Sequence, residues 1–252
     1  MLVLIAIILG FVQGITEFFP VSSSGHLVLI EKIFSLDCDL TLLNVILHFA
    51  SLLAVIIYYR KTLLYLICHP LCKMNKYLVV ATLPAVIFVL LFHTLVSTYL
   101  NSKLTLALGF FLSSIFLVVG IIFSKKLTPT ALNYKNVLVM GVAQSLAIFP
   151  GLSRSGTTLS FALMCGVERN TALDFSFLMS IPIILASLIF ELFSPSVSFA
   201  GFDVVSLLLA FVVAFFTALI CIHLIKKLTK RNNLIYFVPY LILLSIITIL
   251  VL

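Results

Sequence analysis

Residues that could carry out chemistry are concentrated near the start of the chain, in the segment QGITEFFPVSSSGH at residues 13–26. The segment contains an amide, a carboxylate, three consecutive serine hydroxyls and an imidazole, and the sequence on either side of it is almost entirely apolar. Ionisable groups in an apolar surrounding are costly, so they are retained where they face a partner or a wet cavity. The segment is therefore interpreted as an active site.

A second polar segment, QSLAIFPGLSRSGTT at residues 144–158, is interpreted as an internal copy of the first. Both segments contain Gln, Phe-Pro and Ser-x-Ser-Gly, and 131 residues separate Gln13 from Gln144 and also Gly25 from Gly156. The two prolines are one residue out of step. The copies are therefore expected to share a layout and to differ in turn geometry.

Gln13 and Glu17 are four residues apart, so on a regular helix they share one face. Glu17 is a candidate ligand for a divalent cation and a candidate acid or base. The alternative is a polar stripe that only holds two helices together, which is common for a hydrogen-bonding glutamine.

The residues after the first Phe-Pro are suited to binding an anion and attacking it. Ser22, Ser23, Ser24 and Gly25 open a predicted helix, whose free N-terminal amides attract anions. One serine is explained by helix capping alone, but three serines before a histidine exceed what a cap needs. Ser23 and His26 are three apart and can face the same way, as a nucleophile and its base do.

The second segment repeats this helix opening and adds an arginine. A planar guanidinium beside the hydroxyls of Ser153, Ser155 and Thr158, with Gly156 allowing close approach, favours phosphate binding. The alternative is that Arg154 only neutralises the buried carboxylate of the first segment. The two interpretations of Arg154, phosphate binding and neutralisation of the carboxylate, can both hold before substrate arrives.

Composition excludes a soluble globule. The 252 residues are 63% hydrophobic and only 9% charged, with a mean hydropathy of +1.33, so too few charges exist to cover a water-facing surface. The formal charge of +7 lies in short clusters between apolar runs, which sets membrane orientation and argues against a nucleic-acid partner. The chain is predicted to be an integral membrane protein with membrane lipids around it.

The hydropathy pattern predicts an all-α polytopic membrane protein with six transmembrane helices and two re-entrant helical hairpins. A span of about 30 Å needs roughly 20 apolar residues, and six segments suffice: 41–59, 77–98, 104–123, 171–193, 203–225 and 234–252. Residues 2–34 and 136–167 each contain two shorter apolar halves interrupted at Phe-Pro and the Ser/Gly cluster. Such a broken pair is predicted to enter the bilayer halfway and return.

Three spans, an odd number, separate the hairpins, so the second is predicted to enter from the opposite face. The single membrane domain, residues 1–252, is then an inverted-topology repeat of residues 1–127 and 128–252. Loops predicted to share the cytoplasmic side carry twelve basic residues: Arg60, Lys61, Lys73, Lys76, Lys125, Lys126, Lys135, Arg169, Lys226, Lys227, Lys230 and Arg231. The other side has two lysines and the acidic residues Glu31, Asp37, Asp39, Glu191 and Asp203. The first hairpin is therefore expected to open outward.

Asn44, His48 and Ser51 form a polar stripe on one face of the first full span. Polar side chains in membrane helices commonly bond neighbouring helices. This stripe is interpreted as helix packing.

The two polar segments resemble the signature motifs of the undecaprenyl-diphosphate phosphatase family linked to bacitracin resistance. In that family the first motif is Glu or Gln, three residues, then Glu, and the second is Pro-Gly-x-Ser-Arg-Ser-x-x-Thr. Here the motifs are filled by Gln13, Glu17, Pro150, Gly151, Ser153, Arg154, Ser155 and Thr158. LHFASLLAV from residue 47 and FSFLMSIPIILAS from residue 175 are similar to weaker family segments, so the resemblance covers nearly the whole chain. Two places depart from the family: Asn136 replaces an expected Asp, and Ala50-Ser51 replaces Gly-Thr.

The resemblance implies hydrolysis of a polyprenyl diphosphate, undecaprenyl diphosphate, to the monophosphate carrier that cell-wall synthesis reuses, with a divalent cation (Mg²⁺ or Ca²⁺) assisting. Ser23 is expected to attack the terminal phosphorus or to orient water, with His26 as base. Glu17 is expected to hold the metal or orient His26, and Arg154 to stabilise charge. The expected location is the bacterial plasma (inner) membrane with the site open to the outer side. Homodimer formation is left open.

Two alternatives come from other classes. A transporter or polyprenyl-phosphate flippase is one, because inverted repeats with broken midplane helices are transporter anatomy. The other family of membrane lipid phosphatases also has a Ser-Gly-His element, but it needs a spaced histidine and acid after Ser-Arg. After Ser153-Arg154 the chain continues SGTTLSFAL, so this second alternative is discounted.

Overall fold

The computed structural model describes residues 2–34, 36, 40–99, 102–192, 202–231 and 233–252, without the side chains of residues 93–99. The described chain forms helices and no β-strand, which confirms the all-α prediction. In order, the helices are α1 (Leu2–Thr16), α2 (Ser23–Ile33), α3 (Thr41–Tyr58), α4 (Arg60–Cys68), α5 (Lys73–Tyr99), α6 (Lys103–Lys126), α7 (Tyr134–Leu146), α8 (Arg154–Met164), α9 (Arg169–Leu192), α10 (Val204–Lys230) and α11 (Phe237–Val251), the last preceded by a 3₁₀ turn at Asn233–Tyr236.

Six of these elements are long and apolar enough to cross a membrane, which confirms the six predicted spans. They are Thr41–Tyr58, Lys73–Phe92, Lys103–Lys126, Arg169–Leu192, Val204–Lys230 and Asn233–Val251. Asp37 and Asp39 of the charge pattern, and the predicted span end at Phe193, lie outside the described residues. Helix α4 was not predicted; its nine residues extend only about 14 Å, too little to cross a bilayer.

The two predicted hairpin regions consist of paired short helices. α1 and α2 are separated at residues 17–22, and α7 and α8 at residues 147–153, which are the Phe-Pro and serine positions. At about 1.5 Å per residue, these helices are about 16 to 22 Å long, whereas a bilayer core is about 30 Å thick. None can span alone, which agrees with half-entering hairpins.

The helices repeat along the chain at the offset seen in the motifs. α2 and α8 both have 11 residues and begin 131 residues apart, at Ser23 and Arg154. α5 and α10 both have 27 residues and also begin 131 residues apart. α1 packs against α10, and its counterpart α7 packs against α5, the counterpart of α10. Such an exchange of partners is typical of two repeats related by a pseudo-two-fold axis; the inverted orientation in the membrane stays a prediction.

Glycines make these exchanged helix contacts close. A Cβ added at Gly10 of α1 would lie 2.6 Å from the carbonyl oxygen of Ala210 on α10. A Cβ at Gly141 of α7, the repeat equivalent of Gly10, would lie 2.7 Å from the carbonyl oxygen of Ala81 on α5. Small residues allow backbones to approach where no hydrophobic driving force exists between helices. The short helices are thereby held against long ones.

One end of the bundle is fixed by a charged cluster that joins α3, α9 and α10. Asp174 on α9 accepts a hydrogen bond from the Tyr59 hydroxyl at 2.6 Å and pairs with Lys226 of α10 at 2.6 Å. The Lys226 ammonium also lies 5.6 Å and 5.4 Å from the ring centroids of Tyr58 and Tyr59. The cluster holds α3 and α9 together, and both helices contribute walls to the site described next.

Candidate active site

The first polar tip is a tight turn between α1 and α2. Pro20 disfavours helical continuation at the residue before it. Ser22 adopts φ +68°, a left-handed conformation that costs on the order of 1 to 3 kcal/mol for a non-glycine residue. Its hydroxyl accepts a hydrogen bond from the Gly25 amide at 3.3 Å and so caps α2. This turn places Ser23 at the first position of the helix.

The second polar tip has the same cap and a different turn. The Ser153 hydroxyl accepts from the Gly156 amide at 3.1 Å, and the Ser153 amide donates to the hydroxyl of Ser113 on α6 at 2.8 Å. Gly151 has φ +80°, and a Cβ there would lie 2.2 Å from the carbonyl oxygen of Leu106. The glycine is required both for its conformation and for close contact with α6. Arg154 then occupies the first position of α8, as Ser23 does in α2.

The two tips touch each other. The Ser155 hydroxyl of the second tip donates to the carbonyl oxygen of Phe19 in the first at 2.9 Å. A Cβ at Gly156 would lie 3.0 Å from the Cβ of Pro20. Since both helix openings converge, their polar first turns share one space. The two tips therefore lie together in the structure.

The charged centre of the site lies at this junction. Arg154 Nη2 donates to Glu17 Oε1 at 2.5 Å, and the Ser23 hydroxyl donates to Glu17 Oε2 at 2.6 Å. Gln13 Nε2 donates to Glu17 Oε2 at 3.1 Å and lies 3.5 Å from the hydroxyl of Ser51 on α3. The Glu17 side chain is 5% exposed and that of Arg154 14%. The ion pair weighed as an alternative from the sequence is therefore formed.

One nitrogen of the guanidinium is left over. Arg154 Nη1 is buried and has no hydrogen-bond partner among the described residues. Buried donors are nearly always satisfied, so an orphaned charged donor points to a missing acceptor. The nitrogen is suited to bind an anionic ligand.

A cavity of about 170 Å³ opens at the junction. Seven of the residues proposed from the sequence line it: Glu17, Ser22, Ser23, Ser24, Ser153, Arg154 and Ser155. The remaining wall is largely apolar and includes Ala147, Leu152, Ile183 and Ile184. A polar floor beside an apolar wall suits a lipid with a charged head group.

Other proposed binding residues lie behind this lining. Gln13 is fully buried and donates a hydrogen bond to Glu17. Gly25 and Gly156, whose amides bond the capping serines, pack closely against neighbouring residues. Thr158 donates to the carbonyl oxygen of Arg154 at 2.9 Å and exchanges a hydrogen bond of 2.6 Å with Ser176 on α9. Its hydroxyl therefore links α8 to α9, and Thr158 supports the site from behind.

The expected hydrogen bond between Ser23 and His26 is not formed. His26 Nδ1 lies 2.7 Å from the Ser22 carbonyl oxygen and Nε2 lies 2.6 Å from the hydroxyl of Tyr240 on α11. Because a carbonyl can only accept, Nδ1 carries the proton and Nε2 accepts from Tyr240. The ring also stacks on Tyr240 and meets Phe110 edge-on, each at 5.7 Å between centroids. His26 thus holds the strained Ser22 backbone, and it makes no hydrogen bond to Glu17 either.

Three residues of the site were not predicted as functional: His48, Ser51 and Tyr240. His48, interpreted as helix packing, lines the cavity. Ser51, from the same stripe, contacts Gln13. The spacing of that polar stripe could have predicted that His48 and Ser51 face the same side of α3. Tyr240 is separated from His26 by 214 residues and carried no signal in the sequence.

The site can offer a metal ion one carboxylate. No group of three or more His, Cys, Asp or Glu residues arranged to hold a metal occurs in the part of the chain that the structure describes. Mg²⁺ is commonly bound through one or two carboxylates together with substrate phosphates and waters. Glu17 with the adjacent serine hydroxyls fits a cation that arrives with a phosphorylated substrate, and does not form an all-protein cage.

Known proteins resemble the chain along nearly its whole length. Residues 6–247 match the family model described as bacitracin resistance protein BacA. The chain is 39% identical over 247 residues to the undecaprenyl-diphosphatase of Thermosipho melanesiensis, covering 95% of this chain and 96% of that protein. It is 37% identical to undecaprenyl-diphosphatase 3 of Bacillus cereus, covering 93% and 92%, and 29% identical to the undecaprenyl-diphosphatase of Buchnera aphidicola, covering 94% and 93%.

The family match spans both polar tips and reaches into all six long helices. The relatives align over nearly their whole length, so the likeness is not confined to one motif. The chain therefore belongs to the bacitracin resistance protein BacA family.

Proposed function

We propose that the protein hydrolyses undecaprenyl diphosphate to undecaprenyl phosphate and inorganic phosphate. The relatives named above are undecaprenyl-diphosphatases. The observation that carries the proposal is the junction of the tips, where Arg154 Nη1 is buried beside Ser23 and two helix N-termini, with no acceptor in the part of the chain that the structure describes. Guanidinium, helix amides and a hydroxyl within one cavity are suited to bind and attack a phosphoryl group.

The substrate is proposed to exchange partners within the charged centre. A diphosphate entering the cavity competes with Glu17 for Arg154, because a guanidinium binds phosphate bidentately. Glu17 loses its cationic partner and is then free to accept the proton of Ser23, whose hydroxyl already donates to it. Glu17 thereby takes the role of base for which His26 was expected.

The reaction is proposed to proceed in two balanced steps. The Ser23 Oγ forms a bond to the terminal phosphorus while the bridging P–O bond breaks, releasing undecaprenyl phosphate; the hydroxyl proton passes to Glu17. Water then attacks the phosphoserine, the Oγ–P bond breaks, and inorganic phosphate leaves with the proton returned to Ser23. The alternative is direct attack by water oriented by Ser23.

A divalent cation is proposed to be shared between Glu17 and the diphosphate. When bound, Mg²⁺ or Ca²⁺ would neutralise negative charge on the phosphoryl oxygens. Ser23 and Arg154 remain the groups that attack and that hold the head group.

The lipid tail is proposed to leave along the apolar wall formed by Ile183 and Ile184 of α9. Leu185 and Ile189 on the same helix are exposed, which gives the tail a continuous path to the lipid. We place the reaction at the outer face of the bacterial plasma membrane, since the basic loops favour an outward first hairpin.

Phosphate release by the purified protein in detergent tests the function. We expect release of inorganic phosphate from undecaprenyl diphosphate, and loss of most of that release when a chelator removes divalent cations. A pure flippase would release no phosphate in this assay, because it only moves the lipid between the two leaflets. Absence of release at any cation concentration, from a protein shown to be folded, would contradict the proposed activity.

Replacing Tyr240 by Phe should lower kcat by roughly two- to tenfold, the factor that corresponds to one hydrogen bond. The ring still stacks on His26, but Nε2 loses its donor, so His26 holds the Ser22 turn less firmly. The check is a kcat and KM comparison with Tyr236→Phe, a control on an exposed ring in the preceding 3₁₀ turn. Unchanged kcat in Tyr240→Phe would show that this contact does not position the site.

A further inference from the structure

The cavity contains a second basic residue that the reaction described above does not use. His48 of α3 lines it together with Glu17, Ser23 and Arg154, and its imidazole lies within electrostatic range of the Glu17 carboxylate. Among the described residues that line this cavity, only Arg154 and His48 are basic. The wall from α3 therefore presents an imidazole to the cavity.

The orientation of the His48 ring is set by its own helix. His48 Nδ1 lies 2.9 Å from the carbonyl oxygen of Asn44, one turn earlier. Since that oxygen only accepts, Nδ1 carries the hydrogen. Nε2 has no hydrogen-bond partner among the described residues, and the side chain is half-buried. One nitrogen anchors the ring, and the other is available to a ligand.

The negative charge of the head group favours a second donor in the cavity beside Arg154. The charge of Arg154 is offset by Glu17 in the structure. A diphosphate brings at least two negative charges, and one guanidinium already paired with a carboxylate does not offset them. With Nδ1 bonded to Asn44, Nε2 of His48 would form a hydrogen bond with a phosphoryl oxygen. Charge-assisted hydrogen bonds of this kind are the strong ones.

We propose that His48 of α3 binds the diphosphate head group through Nε2. The head group would then contact two helices, through His48 on α3 and Arg154 on α8. The inference rests on the proposed function, and names a further residue of the same site. Helix α3 is anchored to α9 and α10 by the Asp174 cluster, which keeps the imidazole at the cavity wall.

Three variants test the proposal. His48→Leu removes the donor and should raise KM for undecaprenyl diphosphate by about ten- to a hundredfold, the range of a hydrogen bond to a charged group, with kcat changed less than threefold. His48→Gln keeps an N–H donor of similar reach and should recover at least part of that loss. His69→Leu is the matched control: His69 makes the same kind of bond, Nδ1 to the Tyr65 carbonyl oxygen at 3.0 Å, but it is exposed and directly follows α4. Its KM should not change.

A binding assay separates failure of this inference from failure of the proposed function. Inorganic pyrophosphate should raise the thermal unfolding midpoint of the wild type, and should do so less in His48→Leu at equal concentration. If the wild type releases no phosphate but pyrophosphate protection still depends on His48, the activity fails and the contact stands. If KM and pyrophosphate protection are both within twofold of wild type in folded His48→Leu, the inference is overturned.

Discussion

Replacing Arg154 by Ala should lower kcat/KM for phosphate release by about 10³- to 10⁵-fold, the range seen when a transition-state arginine is lost in phosphoryl transfer. Arg154 is the one guanidinium among the described residues that line the cavity, and its Nη1 has no hydrogen-bond partner among them. Arg154→Lys restores the charge without the planar fork, so it should recover only a small part of the loss.

The folding of this variant needs its own control, because removal of Arg154 leaves the Glu17 carboxylate buried and unpaired. Such an unpaired charge costs about 3 to 5 kcal/mol. A double variant, Glu17→Gln with Arg154→Met, removes both charges and should regain the thermal unfolding midpoint while remaining inactive. Arg169→Ala, where the guanidinium bonds the Ser124 hydroxyl outside the cavity, should retain activity. Activity of Arg154→Ala within tenfold of wild type would remove this residue from the reaction.

Replacing Ser23 by Ala should reduce kcat on the order of 10⁴-fold or more, as loss of an attacking nucleophile does in other hydrolases. The hydroxyl is at the first position of α2 and donates to Glu17 at 2.6 Å, so in the proposed reaction attack and proton transfer both pass through it. The direct measurement uses substrate labelled at the terminal phosphate, quenched in acid, with the label sought on Ser23 by mass spectrometry. Labelled Ser23 in the wild type supports a covalent intermediate.

Ser114→Ala is the matched control for Ser23→Ala. Its hydroxyl also lies in a helix of the bundle, but it donates to the carbonyl oxygen of Phe111 on its own helix at 2.6 Å. Loss of that hydroxyl should change kcat less than threefold. A Ser23→Ala protein that keeps a tenth of wild-type kcat, with no labelled serine in the wild type, would favour water as the attacking group.

Several features of the fold and site were predictable because they follow from local composition. Runs of about 20 apolar residues require a bilayer around them, and all six predicted spans are helices in the structure. The helix breaks at Phe-Pro were predictable from the sequence. Proline disfavours helix continuation at the residue before it, and serines favour the N-cap of a new helix. The duplicated motif also indicated that Glu17 and Arg154 belong to one site, and the ion pair between them bears this out.

Side-chain partners within the site were less predictable. Three-residue spacing puts Ser23 and His26 on neighbouring parts of one helix face, but it does not say which atom each side chain reaches. Ser23 turns to Glu17, whereas His26 turns to the carbonyl of Ser22 and to Tyr240. The orientation of the His26 ring depends on α11, near the other end of the chain. That helix supplies a hydroxyl that bonds the ring and an aromatic surface that stacks on it.

The amino-acid sequence by itself determined a six-span helical membrane protein with two broken polar segments, because hydropathy, helix length and capping act between near neighbours. Only the tertiary structure decided that Glu17 bridges Ser23 and Arg154, that Thr158 faces Ser176 away from the cavity, and that His48 faces into it. Those outcomes depend on which helices pack together and at what distance. Contacts between residues more than a hundred positions apart leave no periodic trace in a single sequence.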